Sequence, residues 1–259
     1  RDLAGLRKRI QLRQREVLSK TTKYLAAAAE VTTEVSEGRL IELAGRYQLD
    51  VQARNVWLDY LAIGPASPVV VEGHLRDKQE ATEYSFVNGW GTSQTPLIFG
   101  NASDQEVRVP GRVRPHSIVA HPSPTLFIAV GWQSPITGLV KIEAHVADAH
   151  PECGNGQEYF VQHRTNRNVA NVWQGEFATG GSARMPSQTV SVREGELISL
   201  ILGPRDGNHS CDLTEINLVI AEVGGADRTW DLAKEVSGDV QRANPRSDIH
   251  GNAATWHFY

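Results

Sequence analysis

From Val69 to Glu222 the chain is written in short runs rich in Val, Ile, Leu, Phe and Thr, each closed by a cluster of Gly, Pro, Asn or Asp. Runs this brief cannot carry the buried stripe of a helix, and turn-forming punctuation between them is the grammar of an all-β unit. The predicted strands are Val69–Glu72, Pro96–Gly100, Glu106–Val109, His116–His121, Leu126–Trp132, Gly138–Ala147, Glu158–Arg164, Val172–Thr179, Gln188–Val192, Leu197–Leu202 and Thr214–Glu222. Eleven strands over about 155 residues match a two-sheet sandwich of jelly-roll type. Val140, Ile142, Ala144 and Val146 alternate with polar or exposed positions, as in a strand with one wet face. No repeat of fixed period interrupts the pattern.

The preceding residues obey a different period. Leu3, Leu6, Ile10, Val17, Tyr24, Ala28, Val31 and Val35 step by threes, fours and sevens, which predicts one long amphipathic helix from Leu3 to about Val35. Gly38 punctuates it; Leu40, Leu43, Ala44 and Tyr47 outline a second helix. Asp50 is placed as the N-cap of a third through Val51, Val56, Trp57, Tyr60 and Leu61, ended by Gly64-Pro65. The expected architecture is therefore mainly β: a helical hairpin or three-helix spacer over 1–64, a jelly-roll-like sandwich over 65–224, and a linker-like tail over 225–259 leading to a further domain. The opening inside a helix, the single Met185 and the closing Trp256–Tyr259 strand-like run suggest a piece excised from a longer chain.

Charge follows the same division. Residues 1–64 carry 11 basic and 8 acidic side chains, and the remainder 15 and 22. The basic excess lies in the first 23 residues, spaced along the helix without interleaved aromatics, so it reads as a solvated face and not a nucleic-acid arm. No apolar run approaches the roughly 20 residues of a membrane helix. Cys153 and Cys211 are too few for a disulfide framework but suffice for one bridge in an exported protein.

Catalytic signatures are sparse. There is no G-x-S-x-G elbow, H-E-x-x-H pair or P-loop, and Gly154-Asn155-Gly156 lacks the third glycine and following helix of a dinucleotide loop. No C-x-x-C-H attachment site for haem occurs. In the polar loop Gly203–Thr214, Asp206, Asn208, Ser210 and Asp212 alternate like the first ligand positions of a calcium loop, offering hard oxygen donors. Cys211 and Asn217 stand where an EF-hand needs Gly and Glu, which leaves either a Ca²⁺ site at the sandwich rim or an Asx-rich turn held by its own hydrogen bonds. The nine histidines form no ligand-spaced cluster. Exposed indoles stack on sugar rings while polar side chains bind the hydroxyls, so Trp90, Trp173, His121 and Arg164 are the candidate carbohydrate-binding residues; the alternative is that the tryptophans fill the core, as expected for Trp132.

Several phrases carry a resemblance. His121–Pro124, Gly131–Ile136, Gly154-Asn155-Gly156, Gly203–Thr214 and Gly251-Asn252 through Trp256–Tyr259 resemble a region of large planctomycete multidomain proteins that carry c-type cytochrome (PSCyt) and PSD domains. The resemblance implies a jelly-roll module in an exported, periplasmic or cell-surface bacterial protein that handles complex polysaccharide, with any haem in another part of the parent chain. The first expectation is thus a non-catalytic carbohydrate-binding module whose partners are a glycan and neighbouring domains. A structural or assembly module, docking through its long helix or an open strand at 256–259, is the second. A hydrolase or lyase using His121, Glu158, His163, Arg164 and Asp206 is the third.

Overall fold

The computed structural model describes residues 3–31, 37–50, 53, 54, 57, 68–166 and 168–259. The chain forms two compact units, 1–68 and 69–259.

In the first unit, helices α1 (Leu3–Ser19), α2 (Thr21–Ala29) and α3 (Glu37–Tyr47) replace the expected long helix and its neighbour. The break at Lys20 has a local cause. The Ser19 and Thr21 hydroxyls donate back to the carbonyls of Glu16 (2.7 Å) and Leu18 (2.8 Å), and Lys20 N–H turns to Val17, three residues back. Tyr24, Ala27, Ala44 and Leu49 form the core of this unit, with Val17, Tyr47 and Trp57 against it. Asp50 caps the next turn as expected, its Oδ1 accepting from Ala53 N–H at 2.9 Å. The remaining positions assigned to that third helix, Val51, Val56, Tyr60, Leu61 and Gly64-Pro65, and Val35 of the first, lie outside the described residues.

The second unit is a sandwich of antiparallel sheets. In chain order its strands are β1 (Lys78–Ala81), β2 (Tyr84–Gly91), β3 (Leu97–Asn101), β4 (Val107–Val109), β5 (Gly111–Val113), β6 (Ile118–His121), β7 (Ile128–Gln133), β8 (Gly138–Asp148), β9 (Gln157–Arg164), β10 (Val169–Phe177), β11 (Ser182–Arg184), β12 (Gln188–Val192), β13 (Leu197–Pro204), β14 (Thr214–Val223), β15 (Thr229–Asp231) and β16 (Trp256–Phe258). The larger sheet runs β1-β2-β3-β6-β14-β8-β11, with β12 also on β8 and β15 also on β14; the smaller runs β10-β9-β13-β7-β16. Between them lies one core in which period-two alternation from both sheets meets: Ile118 and Ala120, Val140 to Val146, Ile216 to Ile220 face Ile128, Val130, Trp132, Val161, Ile198, Leu200 and Leu202. The opposite residues of the large sheet, Val87, Phe99 and Val119, build a second small core beneath the β4–β5 hairpin with Val107, Val113 and Leu213.

Residues 225–259 are not a tail. Trp230, Leu232, Val236, Val240, Trp256 and Phe258 belong to the main core, and β16 pairs with β7 from Trp256↔Trp132 to Phe258↔Val130. The polar residues that make this stretch look like a linker are bound internally. Asp248 accepts from Trp230 Nε1 (2.6 Å) and Asn252; Glu235 accepts from Trp256 Nε1 (3.0 Å), Asp231 N and Ile249 N; Arg246 donates to Asp239 (2.7 Å) and to Glu235 O. Helix α4 (Leu232–Val236) is capped by Asp231 within the same network. Nor is the free side of β16 an open edge: Phe258 O accepts from Leu75 N and Asn244 Nδ2, Asn244 Oδ1 takes Phe258 N–H, and Arg246 pairs with Trp256. Val69–Glu72, expected as a strand, is extended chain tied by Val69 N–H to Gly195 O.

Candidate functional site

The outer face of the five-stranded sheet carries the candidate site. Tyr159 and Val161 point into the core, so Glu158, Phe160, Gln162 and Arg164 of β9 point out. Register then sets four rows across the sheet. Glu158 stands between Glu176 and Gly203; Phe160 between Gln174 and Ile201, followed by Ala129 and Tyr259; Gln162 between Asn171 and Ser199, followed by Gly131 and His257; Arg164 between Val169 and Leu197, followed by Gln133. The middle of the face is floored by small residues, and rings lie on them. A Cβ at Gly203 would overlap the Phe127 ring, and one at Gly131 would meet the Tyr259 ring at 3.1 Å. Phe127, 55 % exposed, stands edge-on to Phe160 at 6.2 Å between centroids.

Polar groups are interleaved with the rings. The Gln162 amide donates to Asn171 (3.0 Å), which donates in turn to Gln174; Ser199 Oγ and the Tyr259 hydroxyl share a hydrogen bond at 2.6 Å. His257 Nε2 donates to Ala254 O (2.9 Å), which leaves its Nδ1 to accept from His74 Nε2 (2.8 Å) and His74 Nδ1 with a lone pair. Burial, with His74 adjacent, takes the His257 pKa down to about 4; burial and Arg76 also lower that of His74. Both rings are neutral near pH 7. At the opposite end, burial and then Asp206 and Glu176 raise the Glu158 carboxyl. The carboxylates of Glu158, Glu176 and Asp206, the last two paired with Arg205, stand at one end of β9, and the Arg164 guanidinium stands at the other.

Of the four carbohydrate candidates only Arg164 is on this face. Trp90 is in the main core with Nε1 donating to Val240 O (2.8 Å), and Trp173 packs on Tyr159 at 4.2 Å against that core. His121 is buried, its Nδ1 held by Pro122 O (2.8 Å), at one wall of a separate cleft of about 470 Å³ that Gln79, Thr92, Thr95, Phe99 and Leu213 also line. The indoles went inside because each falls on an inward position of its strand, where a large ring fills most volume. The outward rings, Phe127 exposed and Phe160 and Tyr259 partly buried, were missed. Their signal was the alternation Glu158-Phe160-Gln162-Arg164, opposite outward positions occupied by Gly131, Ser199 and Gly203.

The loop 206–212 divides into different environments. Asp206 is exposed and in a left-handed turn (φ 53°), Asn208 Oδ1 accepts from Ser210 N (3.1 Å), and Asp212 is buried with one carboxylate oxygen lacking a partner. The Asn208–Ser210 contact is the Asx turn that the residue types allow. Burial, then Asp148, push the Asp212 pKa up to about 7. Cys153 and Cys211 form a disulfide, Cα atoms 5.6 Å apart, closing this loop onto Gly154-Asn155-Gly156. Among the described residues, His150 with Cys153 and Cys211 is the group of metal-ligand types whose donor atoms lie within 4.8 Å of one another, and its sulfurs are bonded to each other. Of the enzyme candidates, His163 is held by Glu196 (2.8 Å), and Arg164 and Glu158, six residues apart on β9, are separated by about 20 Å.

The chain matches no family model and no curated protein. No helix among the described residues is long and apolar enough to cross a membrane.

Proposed function

We propose that the sandwich is a non-catalytic glycan-binding module, and that its ligand lies on the outer face of the five-stranded sheet. The observation that carries the reading is the grid itself: Phe127, Phe160 and Tyr259 set among the amides of Gln162, Asn171 and Gln174 and the Arg164 guanidinium, over a floor of Gly131, Ser199 and Gly203. Sugar rings offer flat C–H faces to aromatic rings and hydroxyls to planar donors, and a face that alternates the two serves both. The disulfide supports an exported, periplasmic or cell-surface setting. The resemblance to planctomycete cytochrome-bearing proteins supports a place beside other domains of a polysaccharide-handling chain.

Titration of the chain with oligosaccharides by calorimetry tests this. Phe160→Ala should weaken binding by about tenfold, the worth of roughly 1.4 kcal/mol of ring contact, with the fold intact by circular dichroism. Unchanged affinity would remove the face from the site. The neighbouring carboxyls Glu158 and Asp206 favour hydrolysis as a second reading, since a raised acid beside a second carboxylate is the glycosidase arrangement. Product release from those oligosaccharides that is abolished in Glu158→Gln would establish it.

A further inference from the structure

We infer that the ligand of this face is an acidic glycan, whose carboxylate or sulfate group is bound by Arg164. The inference rests on the glycan reading above and names the substrate class. Its basis is an arginine whose charge is unmatched. Other guanidinium groups withdrawn from water in the sandwich meet carboxylates: partly buried Arg205 with Glu176 (2.9 Å) and Arg228 with Glu222 (2.9 Å), and buried Arg246 with Asp239 (2.7 Å). Arg164 is partly buried as well, yet its guanidinium makes no ion pair or hydrogen bond among the described residues.

Its surroundings leave it in that condition. The row neighbours Val169 and Leu197 are apolar, and the nearby carboxylate of Glu196 is occupied by His163 (2.8 Å) and Arg193 N (3.1 Å). Gln133 is engaged by Val69 O and Gly195 O. Tyr259 stands close enough for the Arg164 charge to act on its phenol. A cation partly withdrawn from water, with five donors in a planar fork and no acceptor, is matched by an oxyanion from outside the chain. The span of about 20 Å along β9 leaves room for neutral sugar rings over Phe160 and Phe127.

The experiment titrates the whole chain with three probes of equal length: an oligogalacturonate, its methyl-esterified neutral form, and a sulfated neutral oligosaccharide. We expect the oligogalacturonate or the sulfated probe to bind about tenfold or more tighter than the neutral form, with the preference falling as salt is raised. Arg164→Gln should abolish the preference, bringing the anionic probes level with the neutral form in the same variant, whereas Phe160→Ala should weaken all probes by a similar factor and keep the preference. Arg164→Lys should keep part of the preference, because the charge remains and the fork is lost. The anionic probe that retains the advantage identifies the group as carboxylate or sulfate. Equal binding of all three probes, or a preference that survives in Arg164→Gln, overturns the inference and leaves the glycan reading standing. Absence of binding by any probe overturns both.

Discussion

Asp212 should make the sandwich less stable as pH rises from about 4 to about 7. The residue is 3 % exposed, one carboxylate oxygen has no hydrogen-bond partner, and the charge of Asp148 lies nearby. Burial and that neighbour carry its pKa to about 7, whereas in the unfolded chain it ionises near 3.9. Between those values the native state holds a proton that the unfolded state has released, so each step up in pH favours unfolding; above about 7 both states are ionised and the slope vanishes. An interval of about three pH units at roughly 1.4 kcal/mol per unit sets a ceiling of about 4 kcal/mol. Asp212→Asn removes the ionisation while keeping the shape and the backbone carbonyl that accepts from Gln157. Urea unfolding followed by tryptophan fluorescence between pH 4 and 8 measures the difference, and the other titrating groups are common to both proteins. The variant should gain on the wild type steadily across this window and then run parallel to it. Curves parallel from pH 4 to 7 would show that Asp212 is not a strained acid, and the reasoning from its burial would fail.

Three further outcomes follow from the same structure. His257, buried and lowered to about 4, has the opposite sign: the folded state lacks a proton that the unfolded state binds, so stability falls as pH drops from about 6.5 to about 4, and His257→Gln should flatten that limb by up to about 3 kcal/mol in the same urea assay. Reducing the Cys153–Cys211 bridge, which spans 58 residues, should lower stability by about 4 kcal/mol on loop entropy, measured as a shift of the urea midpoint with and without a phosphine reductant. A chain ending at Val223 should lack the cooperative unfolding transition seen for the full sequence, because it loses the edge strand β16 and three of the largest core side chains, Trp230, Trp256 and Phe258; a cooperative transition with native near-ultraviolet dichroism would show the sandwich closes without them.

Where each strand's own alternation decides its burial, the fold was legible. β8 shows this well: Val140, Ile142, Ala144 and Val146 announce one inward face, and the structure buries them. Legibility failed where local signals compete. The stripe through Leu3–Val35 suggests one helix, but two hydroxyl side chains flanking Lys20 offer the backbone another partner. β2, Tyr84–Gly91, carries Asn88, Gly89 and Gly91 and does not look like a strand, yet the close approach of β3 excludes any Cβ at Gly89. The stretch 225–259 looks like a linker because its Asp, Asn, Glu and Arg residues bond to each other and to two indoles, and a single sequence shows polarity without showing that it is satisfied.

The site was harder to foresee than the fold, for a topological reason. Its rows draw on strands in the order β10-β9-β13-β7-β16, so Phe160, Ile201, Ala129 and Tyr259 become neighbours although 130 positions separate the last two. Composition then misleads, since tryptophan is the usual sugar platform and here Trp132, Trp230 and Trp256 are wholly buried. What remained visible was the pairing of large and small: a ring on an outward position needs a floor that does not push it off, and Gly131, Ser199 and Gly203 occupy outward positions where Val or Ile would suit the strand better. Glycine inside a strand weakens it, so its presence at Gly131 and Gly203 implies that something flat must lie there. In the structure that is Tyr259 over the one and Phe127 over the other, two of the three rings on which the glycan reading depends.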